Sequence, residues 1–212
     1  MTVRALYICE GSSDTGLRLH IESIAADVGR EVHVTVPDLY RLPNKPGHSV
    51  EDKLRAAQQL SDGGHDYDIV VIHRDSDREP HDRRRSEIAE AVAAVSPGLA
   101  HVPVVPVRML EAWLLLDHAA IREVAGNPNG RMALDLPKPA RAESVADPKA
   151  LLRQAIATAS EEKGRGLQKL QTRFPANRAR LLQMLDREGP VTRLASWRSF
   201  TDDLRKTLGN SH

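Results

Sequence analysis

Four short apolar runs, Val3–Cys9, Val32–Val36, Ile69–Ile72 and His101–Val107, are separated by segments whose apolar residues recur at helical spacing. Leu17, Ile21, Ile24, Ala25 and Val28 form one such stripe; Leu54, Ala57 and Leu60, after a Ser49 cap, form a second; Ile88, Ala91, Val92 and Val95, from Ser86 onward, form a third. Gly29, Gly63-Gly64 and Pro97-Gly98 stop these helices in turn. A β-α-β-α-β-α-β order predicts a four-stranded, mainly parallel sheet with right-handed crossovers and helices on its faces, an α/β fold. The third run is continuously apolar, as a central parallel strand covered on both sides must be. The fourth contains Pro103 and Pro106, which lack a ladder donor, so it belongs at or near a sheet edge.

Two of these strands end in carboxylates. Glu10-Gly11-Ser12-Ser13-Asp14 follows the first and Asp75-Ser76-Asp77 follows the third. Open α/β sheets bind ligands at the carboxyl ends of their strands, and clustered carboxylates repel one another unless a hard cation neutralises them. The pattern therefore points to a divalent-metal site and metal-dependent phosphate chemistry. Glu10 precedes Gly11, whose missing side chain allows a sharp turn and close approach of a phosphate or metal. Asp75 and Asp77, one residue apart in an extended segment, point the same way and can share an ion. Asp14 is read as a charge stabilising the N-terminus of the first helix. His73 is assigned to the opposite face of its strand.

Further along, Glu111 opens the helix of Glu111–Asp117 and offers a third carboxylate for a second ion, while Trp113–Leu116 form a packing block. Lys149 follows Asp147-Pro148, with Pro148 at the first helical position. It is either a group that stabilises charge on a transferring phosphoryl or a helix-surface charge. Residues 1–125 read as the metal-binding core. A Gly-, Asn- and Pro-rich stretch, 126–139, then leads into a basic helical extension reaching 212, with helices near 148, over 175–187 and over 200–208.

Charge is divided unevenly along the chain. Residues 1–117 carry 13 Lys and Arg against 19 Asp and Glu, whereas residues 118–212 carry 17 against 10. The basic half either binds polyanions, with nucleic acid the expected partner, or presents solvated helix faces. Aromatic residues make up only 3% of the chain, which argues against base-stacking platforms. Cys9 is the single cysteine, so neither a disulfide framework nor a cysteine-built zinc site is available within the chain. Apolar runs are too short for a bilayer and the first residues run straight into a strand, so the expectation is a cytoplasmic protein with no membrane association.

A strand ending in Glu-Gly-x-x-Asp, a later strand ending in Asp-x-Asp, and the alternation around them resemble the Toprim domain of topoisomerases, primases and several nucleases, over residues 3 to about 125. The segments EAWLLLD, ADPKALL and SWRSFTDDL together resemble a small bacterial Toprim-like family of unknown function. The resemblance implies that Glu10 acts as general acid or base and that Asp75 and Asp77 hold magnesium. By likeness to Toprim nucleases it implies a metal role for Asp14. It also implies a setting in bacterial defence or RNA processing.

The expected activity is Mg²⁺- or Mn²⁺-dependent hydrolysis of a nucleic-acid phosphodiester, with water as attacking group, since Tyr7, Tyr40 and Tyr67 all fall in or beside core elements. No GxxxxGK[ST] loop, strand-borne GxGxxG, HExxH or GxSxG is present, which leaves P-loop, Rossmann, zinc-protease and serine-hydrolase readings without support. A glycosyltransferase using Asp75 and Asp77 lacks a nucleotide site at the first strand. The alternative is a Toprim-like subunit that binds metal or nucleotide and works beside a partner such as an ATPase. Geometry separates the two: convergence of Glu10, Asp75 and Asp77 favours the enzyme, and an Arg74 or Arg108 salt bridge at that point favours the subunit.

Overall fold

The computed structural model describes residues 2–39, 42–60 and 67–210. Tyr40 and the Gly63-Gly64 helix stop lie outside them. The chain divides into two compact units, the first made of Met1–Glu10, Arg18–Val105 and Ser199–His212 and the second of Gly11–Leu17 and Pro106–Arg198. Residues 106–125, read as part of the core, thus group with the second unit, and the end of the chain groups with the first.

Unit one is built on an all-parallel sheet of β1 (Val3–Ile8), β2 (Val32–Thr35), β3 (Ile69–His73) and β4 (Ala100–Val104) in the order β2-β1-β3-β4. β3 is buried along its whole length beside β1, as its unbroken apolar run requires, and the proline-bearing β4 forms an edge. Helices α1 (Leu17–Asp27), α2 (Val50–Leu60) and α3 (His81–Val95) make the crossovers. Leu6, Ile8, Val70 and Ile72 form one apolar cluster with Val50, Leu54 and Ala57 of α2 and Ile88, Ala91 and Val92 of α3. Strand alternation turns Ala5, Tyr7, Ile69 and Val71 to the other face, where they too are fully buried. The crossover from β1 to β2 runs opposite to those into β3 and β4, so right-handedness assigns α1 to that other face.

Unit two is helical. It contains a 3-10 turn at Ser12–Asp14, α4 (Glu111–Leu114), α5 (His118–Val124), α6 (Pro139–Ala142), α7 (Pro148–Ser160), α8 (Gly164–Thr172) and α9 (Phe174–Met184). The final helix, α10 (Ala195–Asn210), begins in this unit and ends in the first. The single helix expected over Glu111–Asp117 is broken after Leu114. Asp117 caps α5 instead, its Oδ1 accepting from the Ala120 N–H at 2.9 Å. Asp147 caps α7 in the same way at 2.8 Å, with Pro148 at the first helical position as expected. Trp113 is fully buried, donates from Nε1 to Ser196 Oγ at 2.8 Å and meets the Trp197 ring edge-on, centroids 5.0 Å apart. No helix among the described residues is long and apolar enough to cross a membrane.

Replacing Ile72 by Ala removes a fully buried side chain from the central strand of unit one. The expected loss is about 2–5 kcal/mol of unfolding free energy, read by urea denaturation followed by far-ultraviolet circular dichroism; a loss under about 1 kcal/mol would show that β3 is not a core strand.

Candidate metal centre

The parallel register sets Ile8 of β1 opposite Ile72 of β3, and the two chains leave the sheet side by side. Glu10 stands two residues past the end of β1, and His73 is the last residue of β3, followed by Arg74 and Asp75. One ligand atom from each of Glu10, His73 and Asp75 can be chosen so that all three lie within 4.8 Å of one another. His73 is buried, and its Nε2 lies 3.0 Å from Asp75 Oδ1. The ring assigned from sequence to the opposite strand face therefore borders the carboxylates. Two carboxylates and an imidazole suit a divalent ion of Mg²⁺, Mn²⁺ or Zn²⁺ type, imidazole shifting the preference toward the transition metals.

Glu10 is also held by basic and backbone donors. Its Oε1 accepts from Arg74 Nη1 at 2.8 Å and its Oε2 from the Asp75 N–H, while Lys53 Nζ donates to the Glu10 carbonyl at 3.0 Å. Arg74 in turn stands 3.5 Å from Glu87 of α3. The arginine salt bridge that distinguishes the subunit reading from the enzyme reading is thus present.

Asp77 does not join the cluster. Its φ of 54° puts it in the left-handed region, so the chain has left the extended conformation that would aim it alongside Asp75. Its carboxylate is half exposed, 3.6 Å from Arg84 Nη2, and Ser76 is buried between the two aspartates in sequence. Arg84 also donates to Glu87 Oε2 at 2.6 Å. Burial acts to lower its pKa, but the bond to Glu87 and the charges of Glu87, Asp77 and Glu79 outweigh it and leave the pKa raised.

Asp14 and Glu111 form a different cluster inside unit two. Arg178 Nε donates to Glu111 Oε1 at 2.8 Å, and Arg178 Nη1 bonds Asp14 Oδ1 and, at 2.8 Å, Ser13 Oγ. All three charged side chains are almost fully buried. Burial by itself lowers the Arg178 pKa, yet the two acids, through charge and hydrogen bonding, push it well above its ordinary value. Both carboxylates therefore neutralise a guanidinium, and neither belongs to the Glu10–His73–Asp75 cluster. Asp14 also accepts from the Gly11 N–H at 2.8 Å. Gly11 itself has φ −135°, extended backbone open to any residue, and a Cβ there would meet Asp14 Oδ2 at 3.5 Å and Ser13 Oγ at 4.0 Å, both ordinary contacts. The backbone conformation at Gly11 does not itself require glycine. Lys149 is exposed in the first turn of α7 in unit two. Sequence reasoning missed Arg178, one of two arginines in α9 that nothing in the pattern tells apart.

No protein-family model, curated protein or solved structure matches the chain.

Substituting Arg178 by Met leaves two carboxylates buried without their guanidinium, and unit two should lose about 3–5 kcal/mol. Both tryptophans, 113 and 197, lie in that unit, so urea unfolding followed by tryptophan fluorescence reads it directly. Adding Asp14→Asn and Glu111→Gln to Arg178→Met should recover most of the loss. Equal instability of the single and triple variants would contradict the ion-pair account.

Proposed function

We propose that this protein is a metal-dependent phosphodiester hydrolase acting on nucleic acid, with a Mg²⁺ or Mn²⁺ ion held by Asp75, His73 and Glu10. The observation that carries the reading is the convergence of these three side chains from the ends of two hydrogen-bonded strands. Acids at the ends of neighbouring strands in an all-parallel α/β sheet also support the Toprim resemblance. When bound, such an ion supplies Lewis-acid polarisation of the phosphate and a lowered pKa for coordinated water.

The protein's own residues have distinct tasks. Asp75 and His73, tied to each other at 3.0 Å, present a carboxylate and an imidazole from a rigid strand end. Glu10 moves the proton of the attacking water. Arg74 is the nearest guanidinium to that acid, and a phosphate arriving at the site competes for its planar fork, drawing it from Glu10 and freeing the carboxylate. The basic charge of residues 118–212 supports a polyanionic substrate. Bacterial defence or RNA processing is the setting we propose, on the Toprim likeness.

The Arg74–Glu10 bridge and the place of Asp77 outside the cluster favour a second reading, a subunit that binds metal or nucleotide and works with a partner ATPase. In that reading the bridge persists with ligand bound and Glu10 moves no proton.

Titration calorimetry with manganese and magnesium should show saturable binding that Asp75→Ala abolishes. In a cleavage assay with either metal on DNA and RNA, Glu10→Gln, which keeps an amide oxygen for the ion but removes the proton-transfer group, should lower the rate roughly 10²- to 10⁴-fold and weaken metal binding less than Asp75→Ala does. Metal binding without cleavage of either nucleic acid, unchanged by Glu10→Gln, would select the subunit reading. No binding at millimolar metal would overturn the hydrolase reading and leave only a nucleotide-binding subunit.

A further inference from the structure

Along the free edge of the sheet in unit one, a cleft of about 410 Å³ opens against β4, α3 and the C-terminal part of α10. That volume lies within the range of roughly 300–1,000 Å³ found for small-molecule sites. Its polar lining comes from Arg85 and Ser86 of α3, His101 of β4, and Asp203, Lys206 and Thr207 of α10. None of these residues belongs to the Glu10–His73–Asp75 cluster. We propose that this cleft is an anion site that takes a phosphate group, and it does not depend on the metal-centre reading.

The charge arrangement carries the argument. Arg85 is braced by its Nη1, which donates to Asp203 Oδ2 at 2.6 Å and to Ser199 Oγ at 3.1 Å. That pair neutralises Asp203, so no lone carboxylate faces an incoming anion, and the Nε and Nη2 donors of Arg85 remain for a ligand. Lys206 is exposed one turn of chain beyond Asp203, and among the described residues no acid forms an ion pair with it. The lining therefore holds one unbalanced positive charge at neutral pH. His101 senses that field: burial first, and then the Arg85 charge, lower its pKa from the ordinary 6.5, with Asp203 pulling the other way. Its neutral ring offers one donor and one acceptor.

A phosphate suits this set better than a carboxylate does. A guanidinium fork, an ammonium and the Ser86 hydroxyl can serve three separate anionic oxygens, whereas a carboxylate has two. The bracing of Arg85 also means that binding does not have to order a free guanidinium, a cost that long exposed side chains impose. The phosphate can belong to a free nucleotide or to a nucleic-acid backbone, and the cleft chemistry is common to both.

The test is a ¹H–¹⁵N spectral titration of the intact protein in EDTA, at fixed ionic strength, with three probes: inorganic phosphate, a nucleoside 5′-monophosphate and a short single-stranded oligonucleotide. EDTA removes the metal centre from the experiment, so failure here is distinct from failure of the hydrolase reading. The amides of Ser86, Ala89, Lys206 and Thr207 should shift saturably, and Lys206→Glu should weaken binding about tenfold or more while Lys206→Arg retains it. Tightest binding of the monophosphate assigns the cleft to a free nucleotide. Tightest binding of the oligonucleotide, falling steeply with salt, assigns it to the backbone of a nucleic acid. Absence of saturable shifts at these amides with all three probes, or Lys206→Glu binding as tightly as the parent, overturns the proposal.

Discussion

The parallel pairing of β1 with β3 is the constraint on which the candidate centre depends. Ile8 opposite Ile72 sets the two exits from the sheet side by side, and Glu10 then reaches both the Arg74 guanidinium and the Asp75 N–H. A one-residue slip of β1 against β3 would turn Leu6 and Ile8 away from the cluster they form with Val70, Ile72, α2 and α3, so the apolar core specifies the register. The same register therefore fixes a geometry that neither strand end could hold alone. The site is a by-product of core packing in this sense, with rigidity borrowed from fully buried strands.

Arginine decides what the acids do. Glu10 meets Arg74, Asp77 meets Arg84, and Asp14 and Glu111 meet Arg178. These pairs are not equivalent. Arg178 is buried with both of its carboxylates, and separating them would leave charges in a poorly polarisable interior, so that cluster is a fixed element of unit two. Arg74 and Glu10 are half buried and closer to solvent, where water and an incoming ligand can replace either partner. Asp77 and Arg84 are 3.6 Å apart with the carboxylate half exposed, an arrangement that contributes little to stability. Burial, then, sorts the acids into structural and chemically available groups.

The sheet was legible because its signals are physical and local: an unbroken apolar run for the central β3, prolines for the edge strand β4, and helical periodicity between strands. Glu10 and Asp75 were legible for the same reason, as carboxylates next to strand ends. Asp77 was misplaced because a two-residue period holds only while the backbone stays extended, and a left-handed residue ends it. Asp14 and Glu111 were misplaced because their partner lies more than sixty residues away from either in sequence, as the separations of 164 and 67 show. The most distinctive segments of the chain turn out to serve packing and capping. Glu111 and Trp113 of EAWLLLD pair with Arg178 and with Ser196-Trp197, Asp147 of ADPKALL caps α7, and Glu143 accepts from the Ala195 and Ser196 N–H groups at the start of α10. Such residues mark a fold more readily than an activity.

Crystals of the protein soaked in manganese and measured near the manganese absorption edge test the central claim most directly. An anomalous peak is expected within coordination distance of Asp75, His73 and Glu10, with Arg74 displaced from the Glu10 carboxylate. A structure with no peak there at saturating manganese, and with the Arg74–Glu10 bridge intact, would contradict it.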